Sequence, residues 1–206
     1  YPLVTGVQTC ALPICSSAII FYWGIKKEFQ QLGLHNIFFS NDYKNEFDGI
    51  FNGTAFSDDP TVYINITSKM EEGQAPAGCE NWFVMVNVPA NNQQDWTSLQ
   101  TQIRQSVITK LNRLLKTDLE KLIVTEQVLD PVKIEERTGT YKGSLYGTSS
   151  NSKFAAFLRP ANQCSIFKNL FFCGGTVHPG GGIPLCLKSA EITSTMIRSD
   201  YQKKYA

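Results

Sequence analysis

The chain has 206 residues, 42% of them hydrophobic, enough to bury a core in one large domain or two small ones. Its 19 Lys and Arg side chains against 18 Asp and Glu leave no basic footprint for wrapping a phosphate backbone, which argues against a nucleic-acid partner. No apolar run reaches the roughly eighteen residues that cross a bilayer. The six cysteines, at 10, 15, 79, 164, 173 and 186, form no CxxC pair and only His35 and His178 accompany them, so reduced cytoplasmic thiols are expected and a metal site is not.

The first element breaks with everything after it. In VTGVQTCALPI (4–14) the apolar residues Val7, Leu12 and Ile14 share no period, and Gly6 and Pro13 interrupt any helix or strand. An export signal needs a basic start and a continuous apolar run, and residues 1–14 contain no Lys or Arg. The segment resembles one reading frame of a sequencing-library adapter, so residues 1–15 are expected to be an artefactual leader.

From residue 16 the pattern is β. AIIFYW (18–23) is β-branched and aromatic on both faces, as a strand covered on both sides must be. HNIFFS (35–40) is a second short strand and FSDDPT (56–61) a turn. In TVYINITSK, Val62, Ile64 and Ile66 alternate with Tyr63, Asn65 and Thr67, the period of a half-buried strand. WFVMVNV (82–88) is another, ended by Pro89. The period then changes: Trp96, Leu99, Ile103, Val107, Leu111 and Leu114 form a helical stripe, with Arg104, Lys110, Arg113 and Lys116 mostly off it. The stripe is expected to pack on the sheet, with peripheral membrane contact through the basic flank as the alternative. KLIVTEQVLDP returns to strand character and stops at Asp130-Pro131, and GTYKGSLYGTSSNS (139–152) is too rich in Gly, Ser and Thr for a core element.

The last fifty residues hold the strongest local signal: an apolar strand LFFC (170–173), a glycine turn GGTVHPGGG (174–182) and a helix opening IPLCLK. Glycines let the backbone approach a ligand closely, and Pro184 sits where its missing N–H has no intrahelical partner anyway. The turn has neither the GK[ST] of a phosphate loop nor a GxGxxG. The positive end of the helix suits an anion or a developing negative charge.

KNLFFCGGTVHPGGGIPLCLKSAEI (168–192) resembles the C-terminal flavin-contacting signature of the bacterial phytoene desaturase family of FAD-dependent carotenoid desaturases. FYWGI, HNIFFSNDY, DDPTVYI, YKGSLYG and FAAFLRPAN resemble further blocks of that family, in the same order. The resemblance implies FAD as cofactor and an acyclic carotenoid as substrate, with hydride passing from an allylic carbon to the flavin. It implies Gly174 and Gly175 near the ribityl and phosphate part, and Gly180, Gly181, Gly182, Ile183 and Pro184 against the isoalloxazine. His178 and Pro179 fall in the same turn, with a cofactor-shaping role for His178 favoured over a general base because no acid in the turn orients it. No catalytic residue is assigned.

The expected fold is α+β: a mostly antiparallel β substrate domain over 16–128 with an amphipathic helix, and over 129–206 the returning strand and last helix of the FAD domain. The strand–GxGxxG–helix unit that grips a dinucleotide is missing, so the chain reads as a C-terminal fragment, expected to bind FAD weakly or not at all and to be inactive alone. Alternatives are a carotenoid isomerase or acyclic carotenoid oxidase of the same superfamily, or a non-catalytic lipid-binding β domain. Cytoplasmic placement, at most peripheral to the inner face of the membrane, completes the expectation.

Overall fold

The computed structural model describes residues 16–52, 56–145 and 159–205. The leader with Cys10 and Cys15, and much of the Gly/Ser-rich stretch 139–152, lie outside the described residues. The chain divides into two compact units.

The larger unit, Ser16–Leu145, is built on one five-stranded sheet with every neighbour antiparallel. Its strands are β1 (Ser17–Ile25), β2 (His35–Phe38), β3 (Val62–Asn65), β4 (Glu80–Val88) and β5 (Ile123–Leu129), in the order β2-β3-β4-β1-β5. β4 alternates strictly: Trp82, Val84, Val86 and Val88 are buried on one face while Asn81, Phe83, Met85 and Asn87 on the other are only half covered. β1 lies inside the sheet between β4 and β5; its first half is buried on both faces, Ala18 and Ile20 as well as Ile19 and Phe21, whereas Tyr22 on the Ala18 face is 43% exposed. β5 is an edge strand whose Thr125, Glu126 and Gln127 are exposed, polar groups that discourage pairing with another chain.

Helix α1 (Tyr43–Asn52) has no counterpart among the predicted elements. It is short, and Asp48-Gly49 within it reads as a turn, but the Asp42 carboxylate caps its start by accepting the Asn45 N–H at 3.1 Å. Its buried Glu46 accepts the Thr61 N–H and hydroxyl, both at 2.6 Å, and Ile50 enters the interior.

Helix α2 (Trp96–Leu115) is the predicted stripe, capped by Asp95 and ended by Lys116 in the left-handed conformation. Ile103, Val107, Ile108 and Leu111 join Phe21, Trp23, Trp82, Val84 and Val86 in one core cluster, so the stripe does pack on the sheet. Each such side chain contributes about 1.5–3 kcal/mol on burial. Lys110 departs from expectation, for it is buried in this unit rather than part of a solvated flank.

Helix α3 (Pro131–Thr138) begins where Asp130-Pro131 ends β5: Asp130 caps it by accepting the Lys133 N–H at 2.8 Å and Pro131 takes the first turn. It packs against β1, with Ile134 buried. Asn91 N–H donates to Lys142 O at 2.8 Å, the Ser17 hydroxyl to Gly143 O, and Leu145 N–H to Ser16 O at 3.2 Å. These bonds carry the larger unit past residue 128, where the sequence places a boundary, to Leu145.

In the smaller unit the predicted strand 170–173 is not a ladder strand. Only one antiparallel bridge, Gln163 to Phe171, forms there among the described residues. Beyond that bridge the segment is held by the side chains of Asn162 and Thr193, both bonded to Phe172 O. Helix α4 (Ile183–Tyr205) follows the glycine turn as expected. Among the described residues, no helix is long and apolar enough to cross a membrane, and Cys79, Cys164, Cys173 and Cys186 are free thiols.

Candidate functional site: the glycine turn

Three glycines of the turn adopt positive φ: Gly174 at 119°, Gly180 at 141° and Gly182 at 97°, a region that side chains with a Cβ rarely enter. Their surroundings separate two roles. A Cβ on Gly180 would lie 3.1 Å from the Arg159 Nε, and one on Gly175 would lie 3.3 Å from the Gly181 Cα and 3.5 Å from the Cys186 Sγ, so these two are small because the chain folds onto itself. A Cβ on Gly174 or Gly182 would meet nothing within 4 Å. There the bare backbone faces open space, which is what close approach of a planar ring or a phosphate ester needs.

Gly175 and Gly181 are thus brought backbone to backbone, and the Arg159 guanidinium ties the same region by donating to Gly175 O at 2.9 Å. Gly180 and Val177 are buried, Pro179 and Gly181 half-buried, and the peptide His178-Pro179 is cis. His178 presents its ring to solvent while its backbone is tied down: its N–H donates to Pro160 O at 3.0 Å. Gly182 O accepts the Cys186 N–H at 2.9 Å, so α4 opens directly out of the last glycine. Ile183, 79% exposed, and Pro184 then stand at the helix's positive end beside Gly182.

Residues that the sequence reading did not single out hold this shape. Asn162, Ser189 and Thr193 are all buried polar side chains. The Asn162 amide nitrogen lies 3.1 Å from Phe172 O, 3.0 Å from His178 O, 2.9 Å from the Ser189 Oγ and 3.3 Å from the Thr193 Oγ1. Gly174 N–H donates to the Ser189 Oγ at 3.1 Å, and the Thr193 hydroxyl to Phe172 O at 2.9 Å. The available signal was Ser189 and Thr193 at i, i+4 on one helix face, a spacing that puts two small hydroxyls side by side.

In the larger unit the sheet face opposite α2 carries an aromatic row. Tyr22 and Phe83 meet edge-on at 5.6 Å, Phe83 and Tyr63 at 6.3 Å, and His35 stacks on Tyr63 at 6.1 Å, with its Nδ1 hydrogen-bonded to the Tyr63 hydroxyl at 2.8 Å. These rings, with Met85, form an apolar surface that is only partly covered.

No protein-family model matches the chain. It is 56% identical over 182 residues to a 1-hydroxycarotenoid 3,4-desaturase of Flavobacterium sp. (strain P99-3), covering 88% of this chain and 37% of that protein. It is 35% identical over 185 residues to a 4,4'-diaponeurosporene oxygenase of Staphylococcus haemolyticus, covering 89% of the chain and 37% of the relative. A phytoene desaturase of Fusarium fujikuroi is 30% identical over 207 residues, 90% of the chain and 36% of the relative. The chain thus spans little more than a third of the length of these relatives.

Proposed function

The chain belongs to the family of carotenoid desaturases, and from that premise we propose that the protein desaturates an acyclic carotenoid. In the reaction a hydride leaves an allylic carbon, a proton leaves its neighbour, and a double bond forms between the two carbons. FAD, when bound, supplies the acceptor for the hydride. The observation that carries this reading is the glycine turn, whose Gly174 and Gly182 leave bare backbone facing open space, Gly182 at the positive end of α4. That open backbone would suit a flavin, with Gly174 toward its ribityl and phosphate part and Gly182, Ile183 and Pro184 toward its ring, while Gly175, His178, Pro179, Gly180 and Gly181 shape the turn. The helix end would favour the negative charge that a flavin held there gains on reduction.

On this reading the sheet of the larger unit serves the substrate. A polyene offers no hydrogen bonds and must be held by apolar surface. The half-covered row Tyr22, Phe83, Tyr63 and Met85 supplies such a surface, on strands whose other face is core. The identity to a 1-hydroxycarotenoid 3,4-desaturase makes a hydroxylated acyclic carotenoid the first substrate to try.

Expression of the full-length gene in a host that accumulates acyclic 1-hydroxycarotenoids tests this. Desaturation lengthens the conjugated system and moves pigment absorption to the red. Unchanged conjugation overturns the reading, and oxygen added without a new carbon–carbon double bond favours the oxygenase activity for which the 35% identical relative is named.

A further inference from the structure

We infer that Asn162 is the positioning residue of the glycine turn: its buried amide, together with Ser189 and Thr193 on α4, sets the turn in its cofactor-receiving shape before any ligand arrives. The inference rests on the flavin reading above and adds residues outside the turn itself.

The turn GGTVHPGGG contains five glycines. Glycine loses more conformational freedom on ordering than any other residue, so such a turn without cross-links would sample many shapes. Asn162 supplies the cross-links. Phe172 O and His178 O are carbonyls that only accept, which requires the amide nitrogen, not the oxygen, to face them. Those two carbonyls bracket Cys173 and the first four residues of the turn, 174–177, and one side chain therefore fixes the span of that stretch. Phe172 N–H returns a bond to Asn162 O at 2.8 Å, locking the two residues together.

The second anchor runs to the helix. Gly174 N–H donates to the Ser189 Oγ, and both Ser189 and Thr193 stand within reach of the same Asn162 nitrogen. Ser189 is fully buried, and Asn162 and Thr193 are 4% and 8% exposed, so water cannot substitute for any of them cheaply. Turn and helix are thereby joined as one body. A preorganised site spares the ligand the cost of ordering the loop, and that saving appears as affinity.

Full-length protein is titrated with FAD, and the visible spectrum and midpoint potential of the bound flavin are recorded, for wild type, Asn162→Asp, Ser189→Ala, Thr193→Val and Thr193→Ser. Asn162→Asp sets a carboxylate against two carbonyls and is expected to weaken FAD binding about tenfold to a hundredfold, with a displaced flavin band. Ser189→Ala and Thr193→Val are expected to weaken it about tenfold, and Thr193→Ser, which keeps the hydroxyl, to restore wild-type affinity and spectrum. If Asn162→Asp does not fold, the Ser189 and Thr193 variants decide. Wild-type affinity, spectrum and potential in the variants that fold overturn the inference, as does failure of Thr193→Ser to rescue. A wild-type protein that takes up no FAD overturns the flavin reading itself, which is a separate outcome.

Discussion

The Lys110 ammonium lies 2.9 Å from an Asp59 carboxylate oxygen, with its own side chain 4% exposed and that of Asp59 32% exposed. The same ammonium donates to Phe39 O and Pro60 O, both at 2.7 Å. A charge from the middle of α2 thus gathers the ends of two loops that border β2 and β3. Removing it by Lys110→Ala orphans two carbonyls and a partly buried carboxylate together. The expected loss is about 2–4 kcal/mol, read as a lowered urea midpoint at unchanged slope. An undiminished midpoint would show that water replaces the ammonium freely.

Asp59 also gives the chain a pH response with a definite sign. Burial by itself would raise its pKa, but the Asn41 N–H and the Lys110 ammonium outweigh burial and hold it below the ordinary carboxylate value. A depressed folded-state pKa stabilises above the unfolded-state pKa and is lost as pH falls through the folded one. Wild type should therefore lose stability relative to Asp59→Asn as pH drops below about 4, a change visible in paired denaturation curves at neutral and acid pH.

A second cluster should matter far less. Arg104 donates from both terminal nitrogens to the Glu120 carboxylate, at 3.0 and 2.9 Å, and from its Nε to Glu126 at 2.8 Å, while Trp23 also donates to Glu126. Glu120 is more than half exposed, so solvent screens the pair. Arg104→Lys loses the fork but keeps the charge, and a cost of no more than about 1 kcal/mol that shrinks in high salt is expected. A cost equal to that of Lys110→Ala would contradict this ordering.

Two glycines beside α3 separate backbone conformation from crowding. Gly139 and Gly143 have nearly equal φ, 66° and 63°, yet a Cβ on Gly139 meets nothing within 4 Å while one on Gly143 would lie 2.2 Å from Pro131 O. Gly139→Ala should cost about 1–2 kcal/mol for the left-handed backbone alone. Gly143→Ala adds displacement of the α3 start and should cost about 2 kcal/mol more. Melting temperatures of the two variants make the comparison, and equal shifts would mean that the helix start yields without cost.

What the sequence alone determines here is whatever depends on local period and local chemistry. The alternation of Val62, Ile64 and Ile66 and the stripe from Trp96 to Leu114 are repeats that only a strand and a helix can satisfy, and both elements stand where those residues put them. Asp130-Pro131 carries its own stop signal, and the glycine turn declares a backbone that needs room. Tertiary structure decides what rests on partners distant in the chain. α1 exists because Glu46 finds Thr61, and Lys110 is buried because two loops bring it carbonyls and a carboxylate. Segment 170–173, apolar enough to read as a strand, finds only the Gln163–Phe171 bridge among the described residues, and its carbonyl at Phe172 turns to Asn162 and Thr193 instead. Asn162 has no local signature at all: a single amide in a loop becomes the anchor of the turn only when residues ten to thirty-one positions away converge on it. Periodicity encodes which face is covered, whereas the identity of the covering group is set by chain folding, because a hydrogen bond needs its partner within about 3 Å in space, not in sequence.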